Sequence, residues 1–95
     1  KVTEETETET AAKARFMIGE CCFAQKNHKE ATKHFLKAAF AYGHKEWSAM
    51  AWFEAARCFE VLQDVSQAKN CYQQMIDKFP DHPKVLDAKK RLGEL

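Results

Sequence analysis

Two stretches of this sequence carry the same pattern of small and large apolar residues. The pattern of segment 14–23 returns in segment 51–60, and one step of 37 residues leads from Gly19 to Ala56 and again from Ala56 to Gly93. Matching residues follow both segments: Ala31, Phe35 and Ala38 in the first copy, and Ala68, Tyr72 and Met75 in the second. A period of this length, with small residues at fixed points of amphipathic helices, is typical of stacked helix pairs that bury one another's apolar faces. The repeat therefore predicts an all-α fold with a surface suited to holding a partner.

The length and charge of the chain limit the classes of protein it can represent. Its 95 residues suit a single domain, with 45% hydrophobic and 31% charged residues. With 15 Lys and Arg against 14 acidic residues, the formal charge of +1 gives no broad basic field for nucleic acid or an anionic membrane. No apolar run approaches the roughly 18 residues of a membrane-spanning helix, and no signal peptide is present. Because the chain opens on Lys1 and not on Met, we expect a fragment of a larger protein.

Four cysteines, an even number, could form two disulfides. Each of them falls within a predicted helix, and the adjacent Cys21 and Cys22 point about 100° apart on a helix. We therefore favour free thiols, which pack as small apolar groups, over disulfides and over a redox or metal role. Free thiols in turn favour a reducing compartment such as the cytoplasm.

The spacing of the apolar residues predicts five helices behind a short tail. Residues 1–11 alternate Thr and Glu and are expected to form a disordered tail or linker. The helical domain at 12–95 divides into repeat one at 12–45, repeat two at 49–82 and a capping helix at 83–95. The predicted helices run from Ala12 to about Lys26, from Asn27 to Tyr42, from about Glu46 to Leu62, from Asp64 to Phe79, and over 83–95.

Several residues are expected to begin or end these helices. Asn27 and Glu30 form a capping box at the start of the second helix, and Gly43 can adopt the left-handed conformation that ends it. Asp64 caps the fourth helix, and Pro83 suits the first turn of the fifth, where its missing N–H costs nothing.

The repeated residues resemble the tetratricopeptide repeat. The residues that carry the resemblance are Ile18, Gly19, Ala31, Phe35 and Ala38 in the first copy, Trp52, Ala56, Phe59, Ala68, Tyr72 and Pro80 in the second, and Leu92 with Gly93 at the start of a third. The resemblance covers residues 12–95 and implies a right-handed solenoid of antiparallel helix pairs, with two full repeats and a C-terminal capping helix.

The sequence departs from the family pattern at four positions, none of which prevents helix-pair packing: Arg15, Cys22, Gly43 and Met75. The usual repeat has about 34 residues, so the longer period is expected to lengthen the loop around 44–48. This spacing, with the segments 79–83 and 87–92, is also similar to bacterial cell-envelope repeat proteins such as Tol-Pal-associated coordinators and outer-membrane assembly lipoproteins. That narrower resemblance implies the cell envelope or periplasm, whereas the free cysteines favour the cytoplasm.

In this family the first helix of each pair lines the concave face of the stack, so the resemblance implies a groove along helices one and three. Its expected lining is Lys13, Phe16, Glu20, Phe23, Met50, Phe53, Arg57 and Glu60. Aromatic, Met and charged groups are interleaved there, which suits an apolar helix or an extended peptide. For Phe16 and Phe53, packing between the helices is the favoured alternative, because apolar helical stripes are more often core.

Two side chains, Glu20 and Trp47, have specific expected contacts. Some members of the family hold the terminal carboxylate of a peptide in the groove. Glu20 would repel such a carboxylate, so this mode of binding is disfavoured. Glu20 is instead expected to form an ion pair with Arg57. Trp47 is expected to pack on Phe40 or Tyr42; an exposed contact patch is the alternative.

The sequence holds no arrangement of residues that points to catalysis, a metal or nucleic acid. It has no Cys-x-x-Cys, no His-Glu-x-x-His and no glycine-rich phosphate loop. A zinc site made by Cys21 or Cys22 with His28 would need distant partners. The lysines of the second helix are interrupted by Glu30 and by apolar residues, which favours a solvated face over an RNA surface. We therefore expect no enzymatic activity, no cofactor and no bound metal.

These observations predict a non-enzymatic scaffold that presents a concave helical groove to a peptide or helix of a protein partner. The alternative is a self-assembling segment of a larger repeat protein. About three repeats are usually needed for stability, so a second copy could cover the open face of the first helix through Met17 and Cys21 and form a homodimer.

Overall fold

The computed structural model describes residues 4–41 and 44–95. In these residues it has five helices and no strand, which confirms the predicted all-α fold. The helices are α1 (Glu4–Ala24), α2 (His28–Ala41), α3 (Lys45–Val61), α4 (Val65–Lys78) and α5 (Val85–Glu94). Each helix packs against the next in sequence, and α1 also packs against α3. This is the contact pattern of stacked helix pairs; the handedness of the stack stays a prediction.

The ends of α1 and α3 repeat the same backbone geometry 37 residues apart. Lys26 and Gln63 both have positive φ angles, 64° and 63°. In the first copy the N–H of Asn27 donates to the carbonyl of Cys22 at 2.8 Å, and in the second the N–H of Asp64 donates to the carbonyl of Phe59 at 2.9 Å. Both helices therefore end in a Schellman motif, with a left-handed residue just past the last turn.

The capping box predicted at the start of α2 is wrong. Because the Asn27 N–H already donates to the end of α1, Glu30 does not reach back to it. Glu30 instead accepts from Lys33 at 3.0 Å. The predicted cap of α4 is confirmed, since the Asp64 side chain accepts from the N–H of Gln67 at 3.3 Å. The expected roles of Tyr42 and Gly43 lie outside the described residues.

Two helices begin elsewhere than predicted. The start of α1 is Glu4 and not Ala12, so the coil expected at 4–11 is helical. Each added residue of an existing helix gains a hydrogen bond without a new nucleus, so helix can extend past the last buried residue. The linker boundary itself stays a prediction. The start of α5 is Val85 and not Pro83. Pro83 lies in the preceding turn, in which the N–H of Val85 donates to the carbonyl of His82 at 3.0 Å.

The core contains equivalent aromatic residues of the two second helices. Phe35 of α2 and Tyr72 of α4 are completely buried. Gly19 lies against Phe35 so closely that a Cβ atom at Gly19 would be 2.7 Å from the ring. The small residue of the repeat is thus required where the two helices of a pair approach each other most closely.

Trp47 is half-buried and packs against α1 and not against Phe40, and its expected contact with Tyr42 lies outside the described residues. Its ring lies 5.4 Å from the ring of Phe16, and Phe16 in turn lies 5.2 Å from Phe35. Phe40 packs edge-on against Trp52 at 4.8 Å and not against Trp47. The start of α3 is therefore joined to α1, a contact between residues far apart in sequence that local spacing does not reveal.

Candidate functional site

Two adjoining cavities follow the side of the stack formed by α1, α3 and α5. The larger, of about 390 Å³, is lined by Phe23, Phe53, Glu54, Arg57, Glu60, Val61, Lys84 and Arg91. The smaller, of about 180 Å³, is lined by Glu20, Phe23, Ala24, Phe35, Glu54 and Arg57. Because Phe23, Glu54 and Arg57 border both cavities, the two lie side by side along this surface. We call this surface the trough.

The structure brings together most of the residues predicted to line a groove. Glu20, Phe23, Phe53, Arg57 and Glu60 all border the trough. Phe53 is also largely buried, so it belongs to the core as well as to the lining.

The other predicted lining residues lie elsewhere. Phe16 is buried between Phe35 and Trp47, which is the core alternative given by the sequence. Lys13 is exposed and Met50 is half-buried against the core; neither borders the trough. Of the residues predicted for self-association, Met17 and Cys21 are exposed on α1.

Arg57 occupies the middle of the trough. Its Nη1 donates to Glu54 Oε1 at 2.8 Å, and its guanidinium lies 5.2 Å from the centre of the Phe23 ring. The expected ion pair between Glu20 and Arg57 is therefore wrong. Glu54 lies on the same helix one turn earlier, so it reaches the guanidinium without crossing between helices.

Glu54 is a partly desolvated carboxylate. Burial raises its pKa, the neighbouring charge of Glu20 raises it further, and the charge and hydrogen bond of Arg57 oppose these effects. Its side chain is 15% exposed, whereas that of Arg57 is 48% exposed. The carboxylate therefore lies at the floor of the trough and the guanidinium at its rim.

Glu60 joins three helices at the other end of the trough. It accepts hydrogen bonds from the Tyr72 hydroxyl of α4 and from the guanidinium of Arg91 of α5, whose Nε lies 3.3 Å from Glu60 Oε2. Burial, the largest single effect, raises the pKa of Glu60, but the hydrogen bonds from Arg91 and Tyr72 outweigh it and lower the pKa. The lowered pKa favours the ionised carboxylate, and both of its oxygens accept hydrogen bonds within the domain.

Lys84, at the start of α5, adds a third cation to the trough. Its Nζ lies 5.4 Å from the centre of the Phe53 ring, which packs edge-on against Tyr72 at 5.7 Å. No carboxylate of the described residues forms a salt bridge with Lys84. Its charge is therefore available at the trough surface, beside an aromatic ring.

Sequence reasoning missed Glu54, Lys84 and Arg91. The groove face of the third helix was predicted from residues spaced three or four apart: Met50, Phe53, Arg57 and Glu60. Glu54 lies between two of these positions and was therefore not included. Lys84 and Arg91 belong to the segment assigned to a terminal cap. The 37-residue step gives a usable signal, since it carries Glu54 to Arg91 and so places Arg91 on the same face of the repeat.

The two buried cysteines, Cys58 and Cys71, lie outside the trough. Burial raises the pKa of Cys58 to about 11 and that of Cys71 to about 12, so neither thiol ionises readily at neutral pH. All four cysteines are free. Among residues 4–41 and 44–95, no three His, Cys, Asp or Glu side chains are grouped so that they could hold a metal ion. No helix in this part of the chain is long and apolar enough to cross a membrane.

The five helices, packed in sequence order and repeating with a step of 37 residues, define an all-α helical repeat. Residues 50–82 match the family model described as the tetratricopeptide repeat. The matched segment spans α3, apart from its first residues, and α4 with the turn after it. Comparison with curated proteins and with solved structures gave no match. The match supports the resemblance to the tetratricopeptide repeat superfamily; nothing in the comparisons supports the narrower similarity to cell-envelope proteins.

Tetratricopeptide repeats in general mediate contacts between proteins and are not enzymes. The family match therefore supports a non-enzymatic scaffold role at the level of the class.

Proposed function

We propose that this domain is a binding module whose trough holds a peptide or a helix of a protein partner. The observation that carries the proposal is the lining of the trough, where aromatic rings and half-exposed cations from α1, α3 and α5 lie side by side along one surface. Aromatic side chains and Arg are the residues most often responsible for affinity at protein interfaces. The proposed partner is a protein segment of a few residues. The resemblance to cell-envelope proteins, and with it the compartment of this domain, stays a prediction.

Selection of peptides from a random phage-displayed library on the immobilised domain tests this proposal. The selected peptides are then measured against a trough variant, Arg57→Ala with Lys84→Ala. A back-face variant, Lys29→Ala with Lys37→Ala, removes the same number of positive charges from exposed positions of α2.

We expect the trough variant to weaken binding by about 1–2 kcal/mol, about five- to thirtyfold, because both cations lie at the rim of the site. The back-face variant should bind within about twofold of the wild type. If the selected peptides bind both variants as well as the wild type, the trough is not the binding site.

Self-association is a second candidate, favoured by a comparison of the two repeats. The inward face of α3 is completely buried at Ala51, Ala55 and Cys58, and the residues 37 positions earlier on α1, Ala14, Ile18 and Cys21, are exposed. Ile18 is 44% exposed where Ala55 is 0%. In α3 this face is covered by the preceding helix pair, so the same face of α1 is suited to packing against helices from another copy.

A further inference from the structure

We propose that the trough is polarised, and that the segment it holds carries a basic side chain at the α1 end and an acidic side chain at the α5 end. This inference rests on the proposed function and specifies its partner. It depends on the order of the charges along the trough and on which of them are already satisfied within the domain.

The α1 end of the trough is acidic. Glu20 and Glu54 both border the smaller cavity, and the pKa of Glu54 is raised chiefly by burial, with a smaller contribution from the charge of Glu20. Among the described residues Arg57 is the one cation that lines this cavity, and it pairs with Glu54. Glu20 forms no salt bridge with any residue in the described part of the chain. A carboxylate without a partner, beside a second one, is complementary to a Lys or Arg side chain.

The α5 end of the trough is basic. Lys84 and Arg91 border the larger cavity, and the acid that shares this end, Glu60, accepts from both Tyr72 and Arg91. The Glu60 side chain is 14% exposed and that of Arg91 is 47% exposed, so a partner meets the guanidinium before the carboxylate. Lys84 immediately precedes Val85, the first residue of α5, and its Nζ lies 5.4 Å from the centre of the Phe53 ring, which places its charge at the α5 end. This end is complementary to an Asp or Glu side chain.

The centre of the trough is aromatic. The rings of Phe23 and Phe53 border the larger cavity, each with a cation above it. Packed helices are separated by about 8–10 Å. The trough crosses two such separations, from α1 to α3, which pack together, and from α3 to α5, whose side chains Arg91 and Lys84 reach Glu60 and Phe53, so we take its span as about 16–20 Å. An extended chain covers this distance in about five or six residues at about 3.3 Å each. The matching segment therefore has an apolar centre between a basic and an acidic end.

Three six-residue peptides with blocked ends and the same Ala-Leu-Phe-Ala centre test the polarity. Their end residues are Lys and Glu in the first, Glu and Glu in the second, and Lys and Lys in the third. Backbone amide NMR titration of the ¹⁵N-labelled domain gives the affinity and the location of each peptide. The variants are Glu20→Lys, Lys84→Glu and the double variant that carries both substitutions.

We expect the wild type to bind the Lys/Glu peptide about three- to tenfold more tightly than either of the others. Glu20→Lys should change the preference to the Glu/Glu peptide, and Lys84→Glu should change it to the Lys/Lys peptide. The double variant should again prefer the Lys/Glu peptide. A nitroxide in place of the N-terminal blocking group should broaden amide signals of α1 in the wild type and of α5 in the double variant.

The outcomes separate this inference from the proposed function. If the wild type binds all three peptides with equal affinity and the signal shifts lie at the trough, the polarity is overturned and the trough remains the binding site. Tighter binding of the Glu/Glu or Lys/Lys peptide by the wild type has the same meaning. The same holds if none of the three binds while phage-selected peptides do. Shifts confined to other surfaces overturn the proposed function itself.

Discussion

Gly19 and Gly93 occupy equivalent positions of the repeat but have different surroundings. A Cβ atom at Gly19 would lie 2.7 Å from the Phe35 ring, whereas a Cβ atom at Gly93 would meet nothing within 4 Å. Phe35 is completely buried, so its ring has little room to move away. Packing against Phe35 therefore requires glycine at position 19 of α1. At position 93 of α5 no packing requires glycine, and glycine there lowers the stability of the helix.

We predict that Gly19→Ala destabilises the domain by about 1–3 kcal/mol, because the added methyl group overpacks the contact with Phe35. Gly93→Ala is the matched control. It should be neutral or stabilise the domain by up to about 1 kcal/mol, since Ala is the better helix former. Urea unfolding followed by circular dichroism measures both changes. A Gly19→Ala variant as stable as the Gly93→Ala variant would mean that the ring moves aside freely.

At the scale of the elements, the ends of α1 and α3 show how the chain turns without glycine. Lys26 and Gln63 adopt the left-handed conformation with side chains that disfavour it. Their Schellman hydrogen bonds compensate part of that cost. Glycine at either position keeps these hydrogen bonds and removes the strain on the Cβ atom.

We predict that Lys26→Gly stabilises the domain by about 0.5–1 kcal/mol, because glycine adopts a positive φ without steric cost. Lys37→Gly is the control with the same change of residue at an exposed position inside α2, and it should cost about 1 kcal/mol. Thermal and urea unfolding of the two variants should therefore change in opposite directions. Loss of stability in both variants would contradict the role assigned to the end of α1.

One carboxylate of α3 contributes to the docking of α5, in addition to the apolar packing of Val85 and Ala88. Glu60 joins Arg91 of α5 to Tyr72 of α4, and its pKa is lower in the folded protein than the ordinary value of 4.5. A carboxyl group whose pKa is lowered by folding stabilises the folded state fully above its unfolded pKa. That stabilisation is lost as the pH falls below about 4.5 towards the pKa of the folded state.

We predict that Glu60→Gln lowers the free energy of unfolding by about 1 kcal/mol at pH 7, and that the difference from the wild type narrows as the pH falls below about 4.5. Glu30→Gln, which removes an exposed ion pair with Lys33 by the same chemical change, should have an effect near zero. Urea unfolding at pH 7 and at pH 3.5 measures both variants. A Glu60→Gln difference that is unchanged at pH 3.5 would exclude the carboxylate as its cause.

At the scale of the whole molecule, the stack has one apolar end that no described helix covers. The exposed face of α1 includes Met17, Ile18 and Cys21. The opposite end, at α5, has a prominently exposed Leu86 among charged residues. A single exposed apolar side chain among charged residues is common on protein surfaces. Several adjacent exposed apolar side chains indicate an interface with another molecule.

We predict a concentration-dependent dimer of the isolated domain in light scattering under reducing conditions, because pairing of two copies would bury the apolar face of α1. Met17→Glu should shift the domain to monomer. Leu86→Glu places the same substitution at the other end of the stack and should leave the dimer unchanged. A monomer at all concentrations would exclude self-association through α1.

Much of the fold followed from spacing within the sequence. The five helices, the cap at Asp64 and the small residue at Gly19 were predicted because each depends on neighbours within one or two turns or on the repeat itself. The contact of Trp47 with Phe16 was not predicted, because it joins residues of different helices whose relative placement spacing does not give. The pair of Arg57 with Glu54 lies within one turn of α3, so spacing alone allowed it; it was not predicted because Glu54 was not assigned to the groove face.

The sequence by itself determined that this chain forms stacked amphipathic helix pairs and where most of the helices end, because periodicity and capping act over a few residues. Only the tertiary structure decided which charges meet in the trough. Lys84 and Arg91 come to Phe53 and Glu60 through the packing of α5, and this packing, not local sequence, sets which carboxylates are shielded and which cations a partner meets. Electrostatic contacts depend on distance and burial, and both are properties of the assembled helices.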